Sequence, residues 1–248
     1  MIFISINSKG GVGKSTLANQ ILPAYLFLKN EKKTRLIEID DENEDSKDLE
    51  HSGILEIESI KTNKIKEIDE IFILDDDVIV DIGGNKTATI FLDEMRKINE
   101  FEEVVWFIPL GQGRQDASNA YDTTKTIKKL DKDAKIIYVL SNKKSNDLEW
   151  EYLHFFGNEF LDTPFKIETD NYIVIENSDV LNNAKTFSKT VFDISLNETD
   201  FKKKAKEAKE DKFERRKYLF LNRVKNEAIN YIEDLKSDVF QKLDELLK

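Results

Sequence analysis

The stretch Ser8-Lys9-Gly10-Gly11-Val12-Gly13-Lys14-Ser15-Thr16 decides the fold. An apolar run, Ile2-Phe3-Ile4-Ser5-Ile6, leads into it, and a segment with helical periodicity follows. Strand, glycine loop and helix in that order are the setting a phosphate-binding loop requires. The glycines let successive backbone N–H groups turn toward one anion without side-chain clash. The helix adds the positive end of its dipole. Lys14 is placed to reach β- and γ-phosphates, and Ser15 to offer a hydroxyl to Mg²⁺.

Working outward, the periodicity predicts a helix over residues 14–30, with Leu17, Ile21, Leu22, Tyr25 and Leu28 on its apolar face. Pro23 lies inside it and should kink it or remove one backbone bond. Residues 36–40 read as a short buried strand ending in acid, and residues 41–52 as an acidic surface loop. Residues 71–74 are apolar and run into three aspartates, 75–77. The next buried strand, residues 78–82, carries Asp81 near its C-terminal end and is followed by Gly83-Gly84. Helical spacing covers residues 85–100. A strand at 104–109 leads through Gly111 and Gly113 to a helix at 116–130, and a strand at 136–140 ends at Ser141-Asn142. Residues 147–161 read as an aromatic-rich helix, 164–166 and 172–175 as poor strand signals, and 179–187 as a helix. Buried strands alternating with helices argue for an α/β fold, a doubly wound, mostly parallel sheet.

From Phe201 onward the chain changes character. Phe213, Lys217, Leu221, Val224, Ala228, Ile232, Leu235, Val239 and Leu243 fall at helical spacing with no Gly or Pro between them. One long helix fits, or two with a small break near Asn222. The expected division is therefore an ATPase-type domain over 1–197 and a C-terminal helical extension over 198–248, packed on the domain or continuing it.

The chain has 248 residues, enough for one α/β domain with a full core. No signal peptide is expected, because the N-terminal apolar run is short and opens the first strand. No stretch approaches the roughly 18 apolar residues that span a bilayer. Cysteine is absent, which excludes thiolate metal sites and Fe–S clusters, and His51 and His154 are too few for a histidine site. The formal net charge is −11. An evenly acidic surface would repel DNA and anionic membranes. Residues 201–225 reverse that sign, with eleven basic side chains against four acidic ones. Lys202, Lys203, Lys204, Lys206, Lys209, Arg215, Arg216 and Lys217 could contact phosphates without reading sequence. A solvated helix face laced with ion pairs is the alternative.

Ligands in open α/β sheets bind at the carboxyl ends of the strands. The glycine loop, Asp40, Asp81 and Asn142 all fall at such ends, so one site is expected there. Asn142 offers an amide donor and acceptor to a base edge, or is a simple turn residue. Arg114 is a candidate for contact with a partner, or belongs to a simple exposed loop.

Ser8 stands where the general GxxxxGK[ST] pattern has its first glycine, and Lys9 adds a second lysine at the mouth of the loop. This loop resembles the deviant Walker A motif of the ParA/MinD family of ATPases. The resemblance implies ATP and Mg²⁺ as ligands, held by Lys9, Gly10, Gly11, Val12, Gly13, Lys14, Ser15 and Thr16, with Asn142 at the adenine. It implies that Lys9 crosses a nucleotide-sandwich homodimer to the other subunit's phosphates. Asp81 takes the place of the Walker B acid, sharing the metal with Ser15, and Gly83-Gly84 that of the mobile switch. Glu38 and Asp40 match the family's paired acids after strand two, the second of which orients the attacking water. Glu38 replaces the usual aspartate, and Asp41-Glu42-Asn43 replaces the usual Pro-Gln.

The function implied is a slow, partner-stimulated ATPase whose ATP dimer binds non-specific DNA and positions plasmid or chromosomal cargo. The expected partners are a second copy, DNA and a centromere-binding ParB-like protein. The expected location is the cytoplasm, on the nucleoid where DNA is bound. No DNA-reading domain is expected before the loop, as in the small plasmid-type members. Three alternatives remain: a MinD-like membrane-positioning ATPase acting through residues 239–247, a conjugation or mobilisation accessory ATPase that would share every motif, and a metabolic enzyme of the dethiobiotin synthetase type, against which Lys9 speaks. A membrane partner is disfavoured, since Asp244 and Glu245 oppose anionic lipid.

Overall fold

A computed structural model of the chain describes residues 1–41, 48–73, 76–98, 101, 103–157, 167 and 169–248. Seven parallel strands form one sheet in the order β3-β2-β4-β1-β5-β6-β7. They are β1 (Ile2–Ser5), β2 (Thr34–Ile39), β3 (Leu55–Ile60), β4 (Val78–Ile82), β5 (Val104–Leu110), β6 (Lys135–Lys143) and β7 (Tyr172–Glu176). The central strands are apolar on both faces, as strands covered by helices on both sides must be. Phe3 and Ile4 of β1 are fully buried, as are Val78 and Ile79 of β4. β1 sits between β4 and β5, where the strand order reverses direction. A crevice opens at such a switch point.

One face of the sheet carries the helix after β1, the helices Asp179–Thr186 and Val191–Ser195, and the C-terminal helix. The other carries a 3-10 run, Thr62–Ile73, and the helices Lys86–Ile98 and Arg114–Leu130. The helix after β1 begins as Lys14–Thr16, passes through a π-helical segment, Leu17–Ile21, and resumes as Leu22–Asn30. Pro23 stands at the start of the resumed part, so the missing N–H is met by a change of helical register rather than by a break.

Several elements differ from the sequence reading. β3 is a strand that the sequence did not suggest. Residues 147–161 do not form one helix: Leu148–Glu151 and Leu153–Phe156 are separate short helices, and Phe160 and Leu161 lie outside the described residues. So do residues 42–47 of the acidic stretch, Leu74 and Asp75, Glu100, and the strand signal at 164–166. Residues 71–73 belong to the 3-10 run.

The chain does not break near Asn222. It breaks between a helix at Phe201–Glu207 and a helix at Lys212–Asp234, which continues through a π segment, Leu235–Phe240, into Gln241–Leu246. Asp211 sets the restart by accepting from the N–H groups of Phe213 and Glu214 at 2.9 and 3.0 Å. Among the described residues, no helix is long and apolar enough to cross a membrane.

The C-terminal helix shares its core with the helix after β1. Val224, Ala228, Ile232, Leu235, Val239, Phe240 and Leu243 are buried there. The Phe240 ring lies 5.5 Å from that of Tyr25, the Tyr25 hydroxyl donates to Asp244 at 2.7 Å, and Lys29 pairs with Asp244 at 2.7 Å. The apolar side chains that a lipid-binding reading of residues 239–247 would need are thus turned into the protein. Phe240→Ala is expected to lower the unfolding free energy by about 3–5 kcal/mol, from lost burial and an unfilled cavity. Urea denaturation read by circular dichroism checks this.

Candidate functional site

The loop after β1 is pinned from below by Asn7. This fully buried side chain donates to the Pro109 carbonyl at 2.7 Å and accepts from the Lys9 N–H at 3.0 Å. Gly11 and Gly13 have φ of +74° and +95°, a region that side chains with a Cβ rarely enter. At Gly13 a Cβ would also meet the Ser141 hydroxyl oxygen at 2.8 Å. The helix start after Gly13 has no side-chain cap. A helix start of this kind leaves backbone N–H groups that can meet an anion. Val12 is buried, Gly10 and Gly11 are exposed, and Ser15 and Thr16 line the adjoining cleft.

Lys14 is buried, and its ammonium folds back to donate to the Lys9 carbonyl at 2.9 Å. Burial holds it below the ordinary lysine range, and the negative charges of Asp81 and Asp40 offset part of that effect. The strand register lines up Ser5 of β1, Asp81 of β4 and Glu38 of β2 in one row. Asp81 and Glu38 are both buried, and the Ser59 hydroxyl lies 3.4 Å from Glu38. Glu38 therefore stands inside β2, one row below the strand end where Asp40 follows.

Asp40 packs against the turn after β4. A Cβ on Gly83 would lie 2.7 Å from the Asp40 carboxyl carbon, so glycine is the residue that fits. The Gly83 N–H donates to the Ile39 carbonyl at 2.8 Å, and Asn85 N–H donates to the Ser8 carbonyl at 2.7 Å. A Cβ on Gly84 would stand 3.5 Å from the Gly10 nitrogen. The Gly83-Gly84 turn therefore touches Asp40 on one side and the glycine loop after β1 on the other. The Lys61 ammonium donates to the Asp40 carbonyl at 3.0 Å and to that of Asp41 at 3.5 Å. Hydrogen bonds from Thr62 hold the Asp41 carboxyl below the usual carboxylate range, helped by the charges of Lys61 and Lys86.

Among the described residues, no group of three or more His, Cys, Asp or Glu side chains could hold a metal ion by itself. Ser15 and Asp81 remain as the candidates. Such a sparse set suits Mg²⁺, which takes one or two protein oxygens and completes its shell with water and phosphates.

A cleft of about 290 Å³ opens beside the loop, lined by Gly11, Gly13, Lys14, Ser15, Thr16 and Asn142 and by residues after β7. Asn142 lines it with φ of +64°, a conformation that asparagine tolerates. The far wall, from Asn177 to Lys185, was not foreseen as part of the site, because its sequence signals a capped helix and nothing more. Asp116 was also missed. It sits at the start of the helix Arg114–Leu130 and forms an ion pair with Lys9. Arg114, two residues before Asp116, is exposed. The basic candidates Lys202, Lys203, Lys204, Lys206, Lys209, Arg215, Arg216 and Lys217 are all exposed, on and between the helices Phe201–Glu207 and Lys212–Asp234. Lys217 pairs with Glu214 at 3.1 Å.

No protein-family model matches the chain, and no curated protein matches it significantly in sequence. Solved structures do match in fold. The MinD cell division protein of Aquifex aeolicus superposes with a TM-score of 0.51 at 16% identity, over 79% of this chain and 89% of that one. A Borrelia burgdorferi protein assigned to plasmid partition, bound to AMPPNP, gives 0.51 at 15% identity, over 90% and 97%. A chain of the A. aeolicus MinC:MinD complex gives 0.52 at 14%, over 96% of each chain. The chain thus has the fold shared by MinD and plasmid partition proteins.

Proposed function

We propose that this chain is a nucleotide-switched ATPase of the ParA/MinD type. One observation carries the reading: Lys14, Asp81, Asp40 and Gly83 converge under a phosphate loop at the switch point of the sheet. The AMPPNP bound to a structural neighbour supports ATP as the ligand. The cleft beside Asn142 would take the base and sugar, and the loop the phosphates. Lys14 would leave the Lys9 carbonyl for the phosphates, exchanging a backbone acceptor for a charged one. Mg²⁺, held through Ser15 and Asp81, would neutralise charge that develops on the phosphoryl oxygens. Asp40 would orient the attacking water, and its contact with Gly83 would pass the state of the γ-phosphate to the switch turn. Lys9 would cross to a second copy in the ATP-bound dimer.

The dimer would bind non-specific DNA through the basic hairpin of residues 202–217, in the cytoplasm on the nucleoid. A centromere-binding partner would stimulate hydrolysis and release it. Nine exposed Lys and Arg side chains on one hairpin of a chain with net charge −11 support this surface. A second reading rests on Phe213 of the same hairpin and on Leu219 and Phe220 just after it, which are 77%, 51% and 50% exposed. Apolar side chains among basic ones also suit an anionic lipid surface.

The test is binding of the AMPPNP- and Mg²⁺-loaded protein to random-sequence duplex DNA and to phosphatidylserine vesicles, each over a salt titration. Nucleotide-dependent DNA binding is expected. Arg215→Glu with Arg216→Glu should weaken it at least tenfold and flatten the log–log salt slope by about 2. Vesicle binding alone would establish the lipid reading, and binding to neither would leave the hairpin as a protein contact.

A further inference from the structure

The turn that carries Asn142 is built with unusual support. β6 pairs with β7 through a register shift between Ser141 and Lys143, so Asn142 stands in a bulge. Bulges beside functional sites re-aim a side chain, and this one directs the chain into the left-handed region at Asn142. The turn also abuts the phosphate loop, through the close approach of the Ser141 hydroxyl to Gly13. Strand pairing alone does not hold such a turn. Three side chains from two other segments do.

Gln112, in the loop after β5, points its amide nitrogen at the turn. That Nε2 lies 2.9 Å from the Asn142 carbonyl and 3.1 Å from a Glu151 carboxylate oxygen, which can take its two hydrogens. The Ser141 carbonyl and the Tyr152 hydroxyl lie at 3.4 and 3.5 Å. Tyr152 is 1% exposed, and its hydroxyl donates to the Ser141 carbonyl at 2.7 Å. Burial and the charge of Glu151 push this phenol well above its ordinary range, so it stays a donor. The Glu151 carboxylate accepts from the N–H groups of Lys144 and Ser145, each at 2.9 Å for the shorter contact. Every backbone residue from Ser141 to Ser145 except Lys143 is thereby bonded to one of these three side chains.

We infer that Gln112, Glu151 and Tyr152 are positioning residues that set base selectivity: they hold the Asn142 bulge so that its amide meets an adenine edge rather than a guanine edge. The inference rests on the reading of Asn142 as the base contact. Adenine presents a donor beside an acceptor, which an amide complements with both of its atoms. Guanine presents two acceptors on the corresponding edge and leaves the amide oxygen facing another acceptor. A held amide therefore discriminates. A mobile one rotates to suit either base, and the selectivity falls.

The experiment measures ATP and GTP dissociation constants by calorimetry, with Mg²⁺, for the wild type, Asn142→Ala, Gln112→Ala and Tyr152→Phe. Thermal melts are recorded alongside. The wild type is expected to prefer ATP and Asn142→Ala to lose the preference. Gln112→Ala should cut the ATP/GTP ratio by about tenfold, the worth of one or two hydrogen bonds, through weaker ATP binding and stronger GTP binding. Tyr152→Phe keeps the packing and removes one donor, so a smaller drop of about threefold is expected. A purely structural role would lower the melting temperature or weaken both nucleotides alike, without moving the ratio.

If Asn142→Ala removes selectivity while Gln112→Ala and Tyr152→Phe retain it, the clamp is refuted and Asn142 stands. If Asn142→Ala leaves the ratio unchanged, Asn142 is not the base contact and the inference falls with it, while ATP affinity still reports on the phosphate loop. Should Gln112→Ala fail to fold, Tyr152→Phe decides.

Discussion

The Asp40→Ala protein is expected to bind ATP with Mg²⁺ and to hydrolyse it at least about 100-fold more slowly than the wild type. The expectation comes from where Asp40 stands. It follows β2 at the carboxyl end of the sheet, beside the switch turn, close enough that a Cβ on Gly83 would meet its carboxyl carbon at 2.7 Å. Its main chain is held by Lys61, so the carboxylate cannot drift far from that position. Nucleotide affinity has a different source. On the proposed reading the loop amides, Lys14 and Ser15 would hold the phosphates, and none of them is altered by the substitution. Hydrolysis of this kind depends on positioning and charge rather than covalent chemistry, so removing the group that orients water costs rate and spares binding. Titration with a fluorescent ATP analogue and a phosphate-release assay separate the two. Unchanged turnover would make Asp40 a structural end to β2, and loss of ATP binding would make it part of the phosphate cradle.

The same site shows which parts of the molecule were legible in the sequence. β1, β4, β5 and β6 announce themselves because central parallel strands are apolar on both faces and end abruptly in polar residues. Asp81 and Asp40 were readable for that reason, as acids at the ends of such runs. β3 was not. It lies at the edge of the sheet, Glu56, Glu58 and Ser59 face solvent in part, and its alternation is too irregular to signal a strand. The break in the C-terminal helices was misplaced because neither glycine nor proline marks it. It is set by the Asp211 cap, which looks like one more charge in a charged segment. The pairing of Lys9 with Asp116 joins residues 107 positions apart and depends on how β1 and β5 lie side by side, which local patterns do not encode. The clamp on Asn142 is hidden in the same way, since Gln112, Glu151 and Tyr152 carry no motif of their own.

Lys9→Ala is expected to abolish nucleotide-dependent dimerisation, and here the ion pair with Asp116 matters. In the chain as it stands, the Lys9 ammonium is held by Asp116 of its own subunit, and its carbonyl accepts from Lys14. To reach a second subunit's phosphates, Lys9 must leave Asp116, while Lys14 must leave the Lys9 carbonyl to meet its own. On that reading both lysines would be released by the same event, arrival of a triphosphate. A two-fold dimer makes each contact twice. Losing two charge-assisted hydrogen bonds, each worth about 1.5–3 kcal/mol, would weaken the dimer by roughly 3–6 kcal/mol, or about 10²- to 10⁴-fold. Asp116→Asn is expected to act in the opposite sense, since it removes the charge that competes for Lys9. Sedimentation velocity with AMPPNP and Mg²⁺ checks both variants, with nucleotide binding measured in parallel to establish that each site is loaded. A Lys9→Ala protein that loads nucleotide and still dimerises like the wild type would confine Lys9 to its bond with Asp116, and the second lysine of the loop would then serve to order the start of the helix Arg114–Leu130 rather than to join two subunits.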